Sequence, residues 1–182
     1  MGKNIVVVTG SPRKGGNTDL MAEAFANGAK AAGHKVTIFN AAADPTLPCR
    51  ACDACWSKGK ACVFDDGFTR LAPLLEKADA IALCSPVYWF SFSGQLKMVI
   101  DKLYSFFGRE EHKLNAATYL LMAAGESSPE IFVDAKHEFD NIAQALGLPI
   151  GGYVFAAGVY AKGDIKNTDF LAQAEKLGGQ IA

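Results

Sequence analysis

Short runs of aliphatic and β-branched residues alternate along this chain with segments of helical periodicity. The runs lack polar alternation, which is typical of strands buried on both faces of a parallel sheet. They occupy residues 5–8, 36–39, 80–84, 119–122 and 152–156. Because parallel strands need a crossover between them, this alternation predicts a layered α/β fold rather than an all-helical or all-strand domain.

Helices are predicted between the strands, where apolar residues recur every three or four positions. The predicted helical segments are residues 20–33, 65–75, 96–103, 128–146 and 168–177. Gly33 suits the end of the first helix, Asp65 or Asp66 suits the start of the second, and Ser128 and Thr168 are predicted caps of the last two. Right-handed crossovers then give an open sheet with helices on both faces, a three-layer α/β sandwich in which residues 1–182 form a single domain.

Composition excludes several classes of function. The chain carries 18 Lys and Arg against 19 Asp and Glu, a net charge of −1, so it lacks the basic surface that nucleic-acid binding needs. No apolar stretch approaches the ~20 residues that span a bilayer, and no targeting signal is visible. We therefore expect a cytoplasmic domain without a nucleic-acid or membrane partner. The near-neutral charge favours a small-molecule partner over a strongly charged protein surface.

The loop after the first predicted strand has the composition of an anion site. Residues 10–18 lead directly into a helix, so backbone N–H groups and the positive end of the helix dipole converge there. A nucleoside-triphosphate loop requires Lys and then Ser or Thr directly after its second glycine, but Gly15 is followed by Gly16 and Asn17. A dinucleotide site requires a carboxylate at the end of the second strand, but that strand ends at Asn40. A glycine-rich turn without a ligand is the alternative. The candidate phosphate-binding residues are Ser11, Arg13, Lys14, Gly16, Asn17 and Thr18.

The loop after the third predicted strand is unusually aromatic. Four aromatic residues lie between positions 86 and 92, where a structural loop is usually polar. A planar apolar ligand explains them, and burial of Trp89, Phe90 and Phe92 in a subunit interface is the alternative. In the loop after the fourth strand, glycine permits close backbone approach, so that N–H groups can stabilise negative charge on a ligand. The candidate ring-binding residues are Pro86, Val87, Tyr88, Trp89, Phe90 and Gly125.

These loops resemble those of a known family. Gly-Ser-Pro-Arg at 10–13, Asn-Thr at 17–18, Ser-Pro-Val-Tyr-Trp-Phe at 85–90 and Gly-Gln-Leu-Lys at 94–97 are similar, in collinear order, to motifs of the flavodoxin-like NADPH-dependent FMN reductases. The resemblance spans nearly the whole chain. It implies a flavodoxin-like sandwich whose five parallel strands lie in the order 2-1-3-4-5. It also implies that the FMN phosphate occupies the first loop and that the isoalloxazine ring lies against the aromatic loop.

The same resemblance implies an activity. Hydride passes from NADH or NADPH through bound FMN to a small acceptor such as a free flavin, a quinone or another oxidant. The flavin carries this chemistry, so no catalytic side chain is expected. A homodimer or tetramer is expected, because the flavin of this family commonly lies near the dimer boundary.

Four of the five cysteines crowd into one loop with the spacing C-x2-C-x2-C-x6-C, at Cys49, Cys52, Cys55 and Cys62. Thiolates at this spacing can hold one polynuclear centre. The pattern is similar to the compact motif of the iron-sulfur flavoproteins, a branch of the same family. That resemblance implies a [4Fe-4S] cluster exchanging single electrons with FMN, and a redox protein such as ferredoxin as partner.

Two readings of the cysteines without an iron-sulfur cluster stay open. Four thiolates also suit a tetrahedral zinc ion, which would stabilise the fold of a binding module that holds no flavin. Alternatively the four cysteines are free thiols, or two of them form a redox-active pair, and neither arrangement needs a metal. Because residues 49–62 follow the second strand, they are expected to leave the sheet at the edge that holds the flavin. The fifth cysteine, Cys84, is predicted to be a small buried hydrophobe in the third strand.

Overall fold

In the computed structural model, which describes residues 2–108 and 113–182, five strands form one parallel sheet. The strands are β1 (Asn4–Thr9), β2 (Lys35–Asn40), β3 (Ala80–Pro86), β4 (Ala117–Ala123) and β5 (Ile150–Ala156). Their order across the sheet is β2-β1-β3-β4-β5, and each pairing is parallel. The predicted flavodoxin-like order is therefore confirmed.

Helices connect the strands and follow the last one. The α-helices of the described residues are α1 (Asn17–Ala31), α2 (Ala54–Ser57), α3 (Gly67–Leu75), α4 (Gly94–Lys102), α5 (Val133–Leu146) and α6 (Phe170–Gly179). Short 3-10 helices cover Leu103–Phe106, Pro129–Phe132 and Asp164–Asn167. Helix α3 begins where its capping signal predicted, since the Asp66 carboxylate accepts the N–H of Phe68 at 2.9 Å. Across the described ranges, no helix is long and apolar enough to cross a membrane.

Three local predictions are corrected by the structure. Strand β3 runs through Pro86, past the predicted end of the strand at residue 84, because the N–H of Val87 still donates to the carbonyl of Ala123 at 2.9 Å. The Ser128 side chain makes no capping hydrogen bond, since Pro129 opens a 3-10 turn ahead of α5. Helix α2 lies within the segment of the four clustered cysteines, which was predicted to be a loop.

Side chains of the sheet alternate between two apolar cores. Val6 and Val8 face the core that also contains α3, α4 and α5. Ile5 and Val7 face the core formed with α1 and α6. The interior of β1, β3 and β4 is buried on both sides, which is the physical reason that their sequences lack polar alternation. The predicted three layers follow.

Helices α1 and α6 pack closely because glycines lie where they meet. A Cβ at Gly28 would overlap the carbonyl of Glu175, and a Cβ at Gly178 would overlap the carbonyl of Phe25. At the neighbouring Gly179, a Cβ would meet nothing nearer than 3.6 Å. The absence of a side chain at Gly28 and Gly178 therefore sets how near the two backbones lie.

We expect Gly178→Ala to lower the free energy of unfolding by about 2 kcal/mol or more, because the helix backbones have to shift to admit the methyl group. The matched variant Gly179→Ala adds the same methyl one residue later. It should stay within ~0.5 kcal/mol of the wild type or gain stability, since Ala is the better helix former. Urea unfolding followed by circular dichroism measures both. Equal stability of the two variants would contradict this account of the helix contact.

Candidate functional site

A cavity of about 170 Å³ opens where β1, β3 and β4 end. The parallel register brings these ends together, since Thr9 pairs with Cys84 and Pro86 pairs with Ala123. Nine of the twelve residues predicted to bind a phosphate or a ring line this strand-end cavity: Ser11, Arg13, Gly16, Asn17, Thr18, Pro86, Val87, Tyr88 and Gly125. The loops singled out in the sequence therefore meet in one place.

The first turn of α1 forms one wall of the strand-end cavity. The helix begins after Gly16, which has no side chain to cap it. The backbone N–H groups of Asn17, Thr18 and Asp19 have no acceptor among the described residues. Unpaired N–H groups at the start of a helix attract an anion. Arg13, which is exposed and lines the cavity, adds a positive charge.

Asp19 fixes the shape of the first loop from inside the protein. One oxygen of its buried carboxylate accepts the Thr9 hydroxyl at 3.0 Å, and the other accepts the N–H of Gly15 at 2.9 Å. Gly15 has a φ of +66°, a left-handed conformation that favours glycine. Both carboxylate oxygens thus serve the loop, and neither is hydrogen-bonded to the N–H groups that open α1.

Asn17 has a different role from the one predicted. Its amide nitrogen donates to the carbonyls of Val159 at 3.0 Å and Ala161 at 2.8 Å, and its amide oxygen accepts the N–H of Gly163 at 2.9 Å. The side chain expected to donate to a phosphate instead ties the first loop to residues 157–163. What Asn17 offers a ligand is its backbone N–H.

Residues 157–163, which the sequence analysis missed, supply a further wall. Val159 and Tyr160 line the cavity, together with Ala123 and Ala124 at the end of β4. Gly125 lies so near this wall that a Cβ there would come within 2.7 Å of the Tyr160 ring. The sequence feature that could have identified this wall is Tyr160, which lies between Gly158 and Gly163 in the loop after the fifth strand. That loop leaves the sheet at the same edge as the other loops of the cavity.

Residues 88–91 form a tight hairpin turn in the aromatic loop. Tyr88 and Ser91 exchange backbone hydrogen bonds of 3.0 and 3.1 Å. Between them Trp89 and Phe90 have φ values of +50° and +65°, a combination that normally selects Asn and Gly. Large side chains held in this strained backbone are typical of functional loops. The Ser91 hydroxyl anchors the turn to α5 by donating to Glu138 at 2.6 Å.

Three predicted residues, Lys14, Trp89 and Phe90, do not line the strand-end cavity. The N–H of Gly16 donates to the carbonyl of Arg13 at 2.8 Å, and this turn brings Arg13 to the cavity while Lys14 stays exposed outside it. The strained hairpin leaves Trp89 93% exposed and Phe90 52% exposed, directly after Tyr88. A role for these three residues in binding stays a prediction.

The aromatic loop and the first loop are fastened together at their base. The Ser93 hydroxyl donates to the Gly10 carbonyl at 2.8 Å, and the Ser93 N–H donates to the Ser85 hydroxyl oxygen at 2.9 Å. A Cβ at Gly10 would come within 2.5 Å of the Ser93 and Leu96 side chains. Glycine at position 10 therefore lets α4 start directly against the end of β1.

A second cavity, here named the cysteine pocket, has a volume of about 30 Å³ and is lined by Cys49, Cys52, Cys55 and Cys62. The segment leaves the sheet after β2, at the predicted edge. Lys102 of α4 and Tyr104 and Ser105 of the following 3-10 helix also line the pocket, and the charged side chains of Arg50 and Asp53 belong to the lining as well. Within the described chain, the cysteine pocket and the strand-end cavity share no lining residue.

The thiols of the cysteine pocket repel one another when charged. Burial raises the pKa of the Cys55 thiol, and the charges of Asp53, Cys49 and Cys52 raise it further against the opposing effect of a backbone hydrogen bond. Several thiolates can share such a place only around a positive centre. Ala51 and Asp53, which separate the first three cysteines, have φ values of +49° and +52°, so the backbone here is strained.

A buried ion pair lies at the wall of the cysteine pocket. The Lys102 ammonium bonds the Asp66 carboxylate, and both side chains are almost fully buried. Asp66 also accepts the N–H groups of Leu47 and Phe68, each at 2.9 Å. Burial by itself would raise the pKa of Asp66, but the hydrogen bonds from Lys102 and the two N–H groups hold it below its usual value. The pair thus ties α4 to both flanks of the cysteine segment.

A bound metal or cluster fits the donor set of this pocket, although the loop has to close around it. In the described ranges, no three His, Cys, Asp or Glu side chains surround a common point at metal-ligand distances. Four thiols nevertheless line one cavity, and a buried Ser105 hydroxyl in the same cavity has no hydrogen-bond partner among the described residues. The thiols can ligate an iron-sulfur cluster or a zinc ion, and the hydroxyl can donate a hydrogen bond to a sulfur of that site.

Comparisons with known proteins show the family to which this sequence is related. The model of a family described as NADPH-dependent FMN reductase matches residues 3–162. An iron-sulfur flavoprotein of Archaeoglobus fulgidus is 30% identical over 177 residues, which cover 97% of this chain and 78% of the relative. An iron-sulfur flavoprotein of Methanocaldococcus jannaschii is 28% identical over 184 residues, which cover 98% of this chain and 95% of the relative.

Solved structures share the fold. An NAD(P)H:quinone oxidoreductase from Methanothermobacter marburgensis superposes with a TM-score of 0.72 at 17% identity, covering 100% of this chain and 98% of that one. An azoreductase from Bacillus anthracis gives a TM-score of 0.74 at 16% identity, covering 98% of this chain and 100% of that one. At these identities the likeness shows the flavodoxin-like fold alone.

We expect Asn17→Ala to release residues 157–163 from the first loop. The amide of Gly163 loses its acceptor, so its hydrogen exchange should accelerate by about tenfold, the equivalent of one lost hydrogen bond. Asn141→Ala, an identical change at an exposed position of α5, is the control and should leave that rate unchanged. Hydrogen exchange followed by NMR measures both variants. An unaltered exchange rate of the Gly163 amide in Asn17→Ala would contradict the hydrogen bond between Asn17 and Gly163.

Proposed function

The chain belongs to the NADPH-dependent FMN reductase family, and we propose that it is an NAD(P)H-dependent oxidoreductase whose FMN binds in the strand-end cavity. One observation carries the proposal. At the start of α1, three backbone N–H groups have no acceptor among the described residues, and Arg13 lines the same cavity. A phosphate monoester is the ligand that such a helix start and cation recognise.

The hydroxyls of the first loop support phosphate binding. The Ser11 oxygen accepts the N–H of Arg13 at 3.2 Å, which leaves its own O–H to donate to a ligand. The Thr18 hydroxyl has no hydrogen-bond partner among the described residues, and both side chains line the cavity. A Cβ at Gly16 would come 2.9 Å from the Arg13 carbonyl, so the tight turn that presents these groups depends on glycine.

The other walls suit a flat ring with polar edges. Pro86, Val87 and Tyr88 line one part of the cavity, and Gly125 and Tyr160 line another. Two N–H groups in these walls, those of Gly125 and Tyr160, have no acceptor among the described residues and can donate to the ring. Bound FMN would supply the chemistry of hydride and electron transfer. The protein's part is to bind and orient it.

The exposed aromatic tip supports a planar acceptor. Trp89 and Phe90 follow Tyr88 and present large flat side chains to solvent. A free flavin or a quinone can stack on such a surface while it takes electrons at the same cavity. The same side chains suit contact with a second copy of the chain, in a homodimer or tetramer.

We expect Arg13→Ala to weaken FMN binding by about tenfold, because the phosphate loses a charge-assisted hydrogen bond. Lys14→Ala removes the same charge from the next residue, which lies outside the cavity, and should change the affinity by less than about twofold. Fluorescence titration of each apoprotein with FMN gives the dissociation constants. Equal losses in the two variants would contradict the placement of the phosphate beside Arg13.

A second function is favoured by the cysteine pocket, and we propose that it holds a [4Fe-4S] cluster. The support is that four thiols spaced for a cubane cluster line one cavity, together with an orphaned hydroxyl. The chain is also similar over 97% of its length to a protein named as an iron-sulfur flavoprotein. Such a cluster supplies one-electron transfer, which suits exchange with a redox protein such as a ferredoxin.

Anaerobically purified protein should contain about four iron and four sulfide per chain, the content of one [4Fe-4S] cluster. Cys55→Ala removes a thiol of the pocket and should lower the iron content at least severalfold. Cys84→Ala, a matched change at a fully buried cysteine outside the pocket, should keep the cluster. One zinc ion per chain without sulfide would show that the pocket is a structural zinc site instead. Protein without any metal would show plain thiols.

A further inference from the structure

The cysteine pocket contains a polar group that the proposed function leaves unused. The Ser105 side chain is 2% exposed, and its hydroxyl has no hydrogen-bond partner among the described residues. Burying an unpaired hydroxyl costs free energy that a ligand can recover. Thr46 carries another such hydroxyl, but it does not line this pocket. An orphaned donor beside thiols points to a ligand that accepts a hydrogen bond.

Lys102 lines the same pocket three residues earlier in the chain. Helix α4 ends at Lys102, and the 3-10 helix Leu103–Phe106 follows directly and carries Ser105. The Lys102 ammonium is buried and paired with Asp66, so its position is fixed. An ammonium offers three N–H donors, of which the carboxylate oxygen takes one. The Ser105 hydroxyl and the ammonium N–H groups that Asp66 does not take favour a ligand that accepts hydrogen bonds.

We infer that Ser105 donates a hydrogen bond to a sulfur atom of the cluster that the four cysteines hold, and that this bond raises the reduction potential of the cluster. The inference rests on the iron-sulfur site proposed above. A [4Fe-4S] cluster with four thiolates is an anion, and hydrogen bonds to its sulfurs are one of the terms that set its potential. On reduction such a cluster would gain one electron from reduced FMN, which would be oxidised by one electron, and no bond to a cysteine would break. The added negative charge strengthens the hydrogen bond, so the bond favours the reduced form.

Three substitutions isolate the hydroxyl. Ser105→Ala removes it and leaves every cysteine in place. Ser105→Thr keeps a hydroxyl at the same position. Ser57→Ala removes an exposed hydroxyl within the cysteine segment, at a position that does not line the pocket, and serves as the matched control. Each protein is purified anaerobically, its iron and sulfide are measured, and its potential is obtained from a redox titration followed by electron paramagnetic resonance.

Ser105→Ala should keep a full cluster and bind its electron about tenfold more weakly, which lowers the potential by ~59 mV for a one-electron couple. Ser105→Thr and Ser57→Ala should both have the wild-type potential. A full cluster at the wild-type potential in Ser105→Ala overturns the hydrogen bond and leaves the iron-sulfur site standing. Wild-type protein without iron and sulfide overturns both.

If Ser105→Ala holds no cluster, Ser105→Thr decides the matter. A full cluster at the wild-type potential in Ser105→Thr shows that the hydroxyl is the group required. A lost cluster or an altered potential in that variant shows that the pocket needs the shape of serine rather than its hydrogen bond, and overturns the inference.

Discussion

The parallel register of β1, β3 and β4 is the constraint on which the strand-end cavity depends. Thr9 pairs with Cys84 and Pro86 pairs with Ala123, so the loops that follow these strands meet at one edge whatever their own sequences are. The bond from the Ser93 hydroxyl to the Gly10 carbonyl then holds two of the loops together. Topology creates the cavity, and the loop residues determine the ligand that it accepts.

The cysteine pocket depends on a different contact, the buried pair of Lys102 and Asp66. Such a pair contributes little net stability, since desolvation offsets the attraction, but it specifies which groups lie together. Here it holds both flanks of the cysteine segment against the end of α4. The same helix starts against Gly10 at the strand-end cavity. Its nine residues, about 13 Å in length, therefore connect the two sites.

The sequence was informative where chemistry is local. The unbroken apolar strands predicted the parallel sheet, and the glycines and hydroxyls of residues 10–18 predicted the wall of the cavity at α1. It was uninformative where the answer lies in backbone angles or distant packing. The left-handed conformation of Trp89 and Phe90 runs against their own preferences, so no propensity predicts their exposure. The Asn17 tie to residues 157–163 joins parts of the chain that are far apart in sequence.

A comparison of FMN with riboflavin tests the central claim most directly, because the two differ only in the phosphate that the start of α1 is proposed to bind. Titration of the apoprotein should show one FMN per chain. Riboflavin should bind about a hundredfold more weakly, the loss expected when the N–H groups at the helix start and Arg13 have no anion to contact. Equal affinity for the two flavins, or no binding of FMN, would contradict the account.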